Sequence, residues 1–249
     1  IFNGYLSEWK DKELNSIKRS MVEKKHRAIG TTSIYRANAT MRLLRALFNF
    51  ANGEYEDSDG EPIIQHNPVV KISLKKAWFR EKVRTNIIHP NELKNWFDAV
   101  TSLPFHTANI THKNTSETVR DYLIVMLFTG LRPGEAINLK WGDIDFINNL
   151  LHIEDTKNHE EHTLPLTSYL MSILRRRKDE SSGSVVFPGY NPNKSLVNSN
   201  KQVKKVIKSS GVKFLLHDLR RTFATYADSL SIQHSTIKRL LNHKEKDVT

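Results

Sequence analysis

Cysteine is absent from this 249-residue chain. That removes disulfides, thiolate metal sites and thiol catalysis together, and it suits a reducing compartment. Long apolar runs are missing too. The longest purely apolar and aromatic stretch, Tyr122 to Phe128, is far shorter than the ~20 residues a membrane-spanning helix needs. No secretory leader is expected from the residues at hand, and no segment repeats. Acidic residues are in deficit: 27 Asp and Glu against 38 Lys and Arg leave a net charge of +11. Such an excess points to a polyanionic partner, nucleic acid being the commonest. The first residue is Ile1 rather than Met, so the chain is expected to be a piece of a longer protein.

What is present reads as two helix-rich halves, both basic. In the first half, Met41, Leu44, Leu47, Phe48 and Ala51 recur at helical spacing between Ala39 and Ala51, with Arg42 and Arg45 outside the stripe. Asn52-Gly53 is expected to stop that helix, the acidic run Glu54 to Glu61 to form a surface loop, and Asn67-Pro68 to break the chain again. A basic, weakly patterned segment carrying Arg80, Lys82 and Arg84 marks a boundary, giving units of residues 1–84 and 85–249. Arg42, Arg45, Arg80, Lys82 and Arg84 are the expected DNA contacts of this region.

In the second half, Leu93, Trp96, Phe97 and Val100 mark a helix from Asn91, and a further helix spans Glu117 to Phe128, closed by Gly130. Strand-like alternation appears at Ile144 to Phe146, Leu150 to Ile153 and Thr163 to Leu166, with a turn over Asn158 to His162. Helices are expected again at Asn200 to Lys208, Leu216 to Ser229 and Ser235 to Leu241. The fold class is therefore mainly α with a small antiparallel β-sheet.

Four short elements carry chemistry. In Thr129-Gly130-Leu131-Arg132-Pro133-Gly134-Glu135, a helix-ending glycine and a helix-starting proline pin Arg132 in a stiff corner. A fixed guanidinium suits the paired hydrogen bonds a phosphate requires. In His217-Asp218-Leu219-Arg220, His217 and Arg220 share one helix face, an arrangement that gives a phosphate both a proton carrier and a charge clamp. Leu241-Asn242-His243 places a second imidazole just after a short helix, with Asn242 where left-handed backbone is needed. Lys157, in Asp155-Thr156-Lys157-Asn158, sits at the tip of the expected hairpin, where an ammonium can reach a leaving-group oxygen.

The order T-G-L-R-x-x-E, T-K in a hairpin, H-x-L-R-x-T and L-x-H resembles the tyrosine recombinase, or phage integrase, family, in motifs over about residues 90–249. Residues 1–84 resemble the family's helical core-binding domain more loosely. The resemblance implies a core-binding domain followed by a catalytic domain. In the latter, Arg132 and Arg220 hold the non-bridging oxygens of a scissile phosphate, and His217 accepts or orients a proton. His243 adds a hydrogen bond to that phosphate, Lys157 protonates the departing 5′ oxygen, and Glu135 supports the site. It further implies a 3′-phosphotyrosyl intermediate without metal, ATP or other cofactor, and double-stranded DNA as partner. A homotetramer on paired sites is implied for the full-length protein, with this piece alone a monomer, in the cytoplasm of a bacterium, away from any membrane. A prophage or mobile-element integrase is the nearest kind.

Two departures stand out. The family's nucleophilic tyrosine would fall just past Thr249, so this piece is expected to bind DNA without cleaving it, and Tyr226 is expected to be packed rather than reactive. Asn242 replaces a frequent glycine. Other readings remain open from sequence. A helix-turn-helix regulator over Thr222 to His243 explains the charge but not Arg132, Glu135 or Lys157. A non-catalytic recombinase homologue and a type IB topoisomerase share much of the pattern. A metal nuclease using His159-Glu160-Glu161-His162 would need side chains that a solvated turn sends apart.

Overall fold

The computed structural model describes residues 2–103, 110–154 and 160–243. The chain divides into two compact units, residues 1–84 and 85–249. No described helix is long and apolar enough to cross a membrane.

The first unit comprises α1 (Phe2–Tyr5), α2 (Arg19–Gly30), α3 (Ile34–Glu54) and α4 (Val70–Leu74). On α3, Ala37, Met41, Leu44, Phe48 and Ala51 step by three and four and bury one stripe against α2 and its surroundings. Leu47 does not belong to that stripe, because it stands one position aside from Phe48 and is partly exposed. The expected stop at Asn52-Gly53 is also overridden. Asn52 Nδ2 donates to the Ile64 carbonyl at 2.6 Å, so its side chain holds the returning chain while α3 runs on to Glu54. Buried His26 meets Asn38 Oδ1 through Nε2 at 2.9 Å. Asn38 Nδ2 then donates to the Phe79 carbonyl and to Glu81 Oε1, which fastens the end of the unit across α3.

The second unit comprises α5 (Pro90–Thr101), α6 (Ile110–Thr129), α7 (Pro133–Ile137), β1 (Ile144–Asp145), β2 (Leu150–Ile153) and β3 (His162–Pro165), then α8 (Ser168–Asp179), α9 (Asn200–Ser210), α10 (Leu216–Ser229) and α11 (His234–Leu240). The strands form one antiparallel sheet in the order β1-β2-β3, with Ile144 opposite Leu151 and Ile153 opposite His162. The α6 helix lies against α10 and α5 against α9, around a core that includes Trp96, Tyr122, Leu123, Met126, Leu131, Phe187 and Leu219. The fold is mainly helical with a small antiparallel sheet.

Several boundaries differ from the sequence reading. The α6 helix begins at Ile110 rather than Glu117. Phe146 falls outside β1, because Asp145 Oδ1 accepts the N–H groups of Ile147 and Asn148 and turns the chain there. β3 starts one residue early, so His162, expected in a solvated turn, is a buried strand residue. The α8 helix was not anticipated: its apolar face, Leu170, Met171, Ile173 and Leu174, is followed by the basic run Arg175 to Lys178. Part of that run is structural. Arg176 and Arg177 reach Asp121 on α6 at 2.6 and 3.0 Å, where Arg120 also binds at 2.8 Å, and the shared buried carboxylate ties α8 to α6.

Candidate active site

The corner between α6 and α7 is built by its own sequence. Thr129 Oγ1 donates back to the Val125 carbonyl at 2.6 Å and accepts the Leu131 N–H, closing the last turn of α6. Gly130 follows at φ +65°, and a Cβ there would sit 2.5 Å from Phe223 and 2.9 Å from Leu241. Only glycine satisfies both the left-handed backbone and the close approach of α10 and α11. The Tyr122 hydroxyl donates to the Pro133 carbonyl at 3.1 Å, and Pro133 starts α7 where no N–H is needed.

Arg132 stands at that corner. Glu135, one turn on, accepts from its backbone N–H at 3.0 Å and from Nη1 at 2.8 Å, so a single carboxylate fixes both ends of the arginine. Nη2 points to the Asn242 carbonyl at 3.4 Å.

Arg220 enters from α10. Its Nη1 donates to the Gly130 carbonyl at 2.7 Å, and Nη2 makes a short bond to the Leu241 carbonyl. Arg220 is buried, with 4% of its surface exposed. Burial, followed by the repulsion of Arg132, lowers its pKa to about 10, against a smaller supporting pull from Glu135. It remains charged at neutral pH, held at a cost that an arriving anion would offset.

The α10 helix is seated so that it can deliver these groups. Asp218 Oδ2 accepts the Leu215 N–H at 2.9 Å and Oδ1 accepts from Arg221 at 2.7 Å. Thr222 Oγ1 donates to the Asp218 carbonyl and accepts the Ile88 N–H at 2.9 Å. The threonine of H-x-L-R-x-T thus anchors the start of this unit to the helix that bears the site.

His217 and His243 complete the cluster. His217 is held below its ordinary pKa by partial desolvation, then by Arg221 and Arg220, with a smaller push from Arg132. His243 is lowered by the same desolvation, then by Arg220 and Arg132. Both residues reach solvent, and a lowered pKa favours the neutral ring, which can accept a proton at pH 7. Asn242 is left-handed at φ +46°, turning the chain after α11 so that His243 lies within electrostatic reach of Arg220 and Arg132.

The structure therefore brings Arg132, Glu135, His217, Arg220 and His243 together. Lys157 lies outside the described residues. In the first unit Arg42 and Arg45 share an exposed surface depression with Asn49. Arg42 is also engaged at 2.7 Å with Glu81 and lies over the Trp78 ring. Arg80, Lys82 and Arg84 are exposed.

Four participants were missed from sequence. The carbonyls of Gly130, Leu241 and Asn242 orient the arginines, and backbone groups leave no sequence signal. Buried His162 did leave one: it alternates in step with Leu164 of β3 and Leu166 just after it, both buried. Among the described residues no group of three or more His, Asp or Glu is placed to hold a metal ion, and His162, inside the core, is not a surface ligand.

This fold is shared. XerH recombinase bound to its difH substrate aligns over 98% of this chain and 71% of its own, with TM-score 0.71 and 18% identity. A lambda integrase fragment, residues 75–356, bound as a dimer to a core site aligns over 98% and 88%, with TM-score 0.68 and 20% identity. At these identities the likeness is one of fold.

Residues 88–249 match the Phage integrase family, and the chain belongs to that family. Prophage integrase IntF of Escherichia coli K12 is 27% identical over 219 residues, covering 82% of this chain and 42% of IntF. Tyrosine recombinase XerA of Pyrococcus furiosus is 29% identical over 227 residues, covering 87% of this chain and 68% of XerA. The chain thus spans under half the length of IntF and about two thirds of XerA.

Proposed function

We propose that this chain is the core-binding and catalytic portion of a site-specific DNA recombinase that cuts and rejoins strands through a 3′-phosphotyrosyl bond. The observation that carries this reading is the convergence of two guanidiniums on one corner, where Arg220 meets the Gly130 and Leu241 carbonyls and Arg132 the Asn242 carbonyl, with His217 and His243 each within electrostatic reach of both arginines. Two fixed cations beside each other favour the extra negative charge that a phosphodiester gains as a fifth oxygen approaches. Both guanidiniums are held in place by protein acceptors, so little reorganisation accompanies the reaction.

In this mechanism a tyrosine hydroxyl from the segment after His243 attacks the phosphorus and passes its proton to His217. The bond to the 5′ oxygen breaks, and that oxygen takes a proton from Lys157. His243 donates to a non-bridging oxygen held by Arg132 and Arg220. Phosphoryl bond energy passes into the tyrosyl ester, and reversal by a new 5′ hydroxyl rejoins the strands. No tyrosine occurs after His243 in this chain, so the chain as it stands binds duplex DNA without cutting it. Residues 1–84 clamp the duplex through Arg42, Arg45, Arg80, Lys82 and Arg84. The full-length protein works as a tetramer on paired sites in the bacterial cytoplasm, and this piece alone is a monomer.

The test uses the longer protein on a nicked duplex that traps the covalent adduct. Arg132→Ala and Arg220→Ala should each lower the cleavage rate by about 10²–10³-fold, the scale seen on removal of one oxyanion donor, with duplex affinity within a few-fold. Undiminished cleavage by either variant would overturn the assignment.

A further inference from the structure

His162 is a buried ionisable side chain near this corner that the mechanism above does not use. It opens β3, directly opposite Ile153, on the far side of the connection that carries Lys157. The residue is 96% shielded, and neither ring nitrogen has a hydrogen-bond partner of good geometry among the described residues. An orphaned imidazole at such depth is uncommon and calls for a local reason.

Its surroundings supply one. Three elements face the ring: Glu135 from α7, Arg220 from α10, and the backbone of Arg239 and Leu240 from the end of α11. The α11 backbone favours the charged ring, as carbonyl oxygens do, so these carbonyls lie close without yet meeting strict bonding geometry. The next two carbonyls along the chain, Leu241 and Asn242, receive Arg220 and Arg132. A helix ends with carbonyls that lack intrahelical donors, and here those of α11 are met in succession by the side chains of this corner. The Arg239 carbonyl already accepts the Asn242 N–H at 3.0 Å, which leaves Leu240 as the natural acceptor for the imidazole.

We propose that His162 is a positioning residue: as the neutral ring it donates to the Leu240 carbonyl and so fixes the 241–243 turn that aligns Arg220, Arg132 and His243. It thereby fastens the sheet, with its Lys157 connection, to the helix that leads into the nucleophile-bearing segment. Burial, the largest influence, holds the ring below its ordinary pKa, with Arg220 adding to this and Glu135 and the α11 backbone opposing it. The neutral form is thus the working one. A charged ring would compete with Arg132 for Glu135.

This inference rests on the recombinase reading only for its effect on cleavage, so the experiment has two arms. In the present chain, His162→Leu should speed amide hydrogen exchange at residues 240–243 by about tenfold or more, whereas His162→Gln, which keeps a donor, should recover most of the protection. In the longer protein, His162→Leu should slow cleavage by about tenfold, equivalent to 1.4 kcal/mol, leave duplex affinity within twofold, and be partly rescued by His162→Gln. Should the leucine variant not fold, nitrogen-15 spectra of the wild-type ring decide: a neutral ring with one bonded N–H at pH 7 supports the proposal, and an imidazolium overturns it. Unchanged exchange at 240–243 in a folded His162→Leu overturns it as well. If the wild-type longer protein does not cleave DNA at all, the recombinase reading fails, while the exchange arm still judges His162.

Discussion

Replacing Glu135 with alanine separates two roles that are easily confused. Its carboxylate binds Arg132 at both the backbone N–H and Nη1, with side-chain exposures of 7% for Glu135 and 20% for Arg132. Breaking a fully buried pair costs about 3–5 kcal/mol, while an exposed pair contributes about 0–1 kcal/mol. This pair lies between those limits, nearer the buried end on the glutamate side, so a loss of about 2 kcal/mol follows. For a unit of this size that corresponds to a fall of about 4–8 °C in melting temperature. The same change removes a negative charge from beside the proposed phosphate site, so duplex affinity at fixed salt should hold or rise. Calorimetry and fluorescence anisotropy on this chain measure both. The reasoning fails if the melting temperature stays within about 1 °C of wild type, or if stability holds while affinity drops.

Gly130→Ala should destabilise residues 85–249 by more than the ~1 kcal/mol of an ordinary left-handed penalty, because the new Cβ meets Phe223 and Leu241 as well; urea unfolding measures it, and a neutral result would show that the corner can relax. Acid should weaken cleavage. His162, His217 and His243 all have folded pKa values lowered from 6.5, so their working neutral forms dominate at neutral pH. Below about 6.5 the unfolded chain binds more protons than the folded one, and stability falls together with proton acceptance as the pH drops through the folded values. Duplex binding, by contrast, should tighten slightly over the same range as positive charge accumulates. A cleavage rate that is flat from pH 7.5 to pH 5.5, or that rises toward acid, would contradict the assignment of the histidines as neutral.

Much of this architecture was legible before any coordinates, for reasons that can be located. The ends of α10 follow from its apolar stripe, and the α6–α7 corner follows from Gly130 and Pro133. Motif order picked out Arg132, Glu135, His217, Arg220 and His243, which meet near one corner, while Lys157 lies outside the described residues. The failures share a different cause, since each involves a long-range partner. Asn52 was read as a stop signal, yet its amide is taken by Ile64. The α8 helix was hidden because Arg176 and Arg177 look like solvated charge until Asp121 is placed beneath them. His162 was assigned to a turn by its charged neighbours Glu160 and Glu161, although its alternation with Leu164 marked it as inward-facing. The carbonyls of Leu241 and Asn242, which orient both arginines, have no side-chain signature at all.

The account stands on four side chains meeting at one phosphodiester, and charge rescue tests that most directly. In the longer protein, Arg132→Ala and Arg220→Ala would each be assayed on duplexes whose scissile phosphate is either natural or a neutral methylphosphonate. The account predicts that each variant's defect shrinks by about tenfold or more on the neutral linkage, since its transition state carries one negative charge fewer for a guanidinium to balance. Equal defects on both substrates would mean that the arginines serve something other than that phosphate.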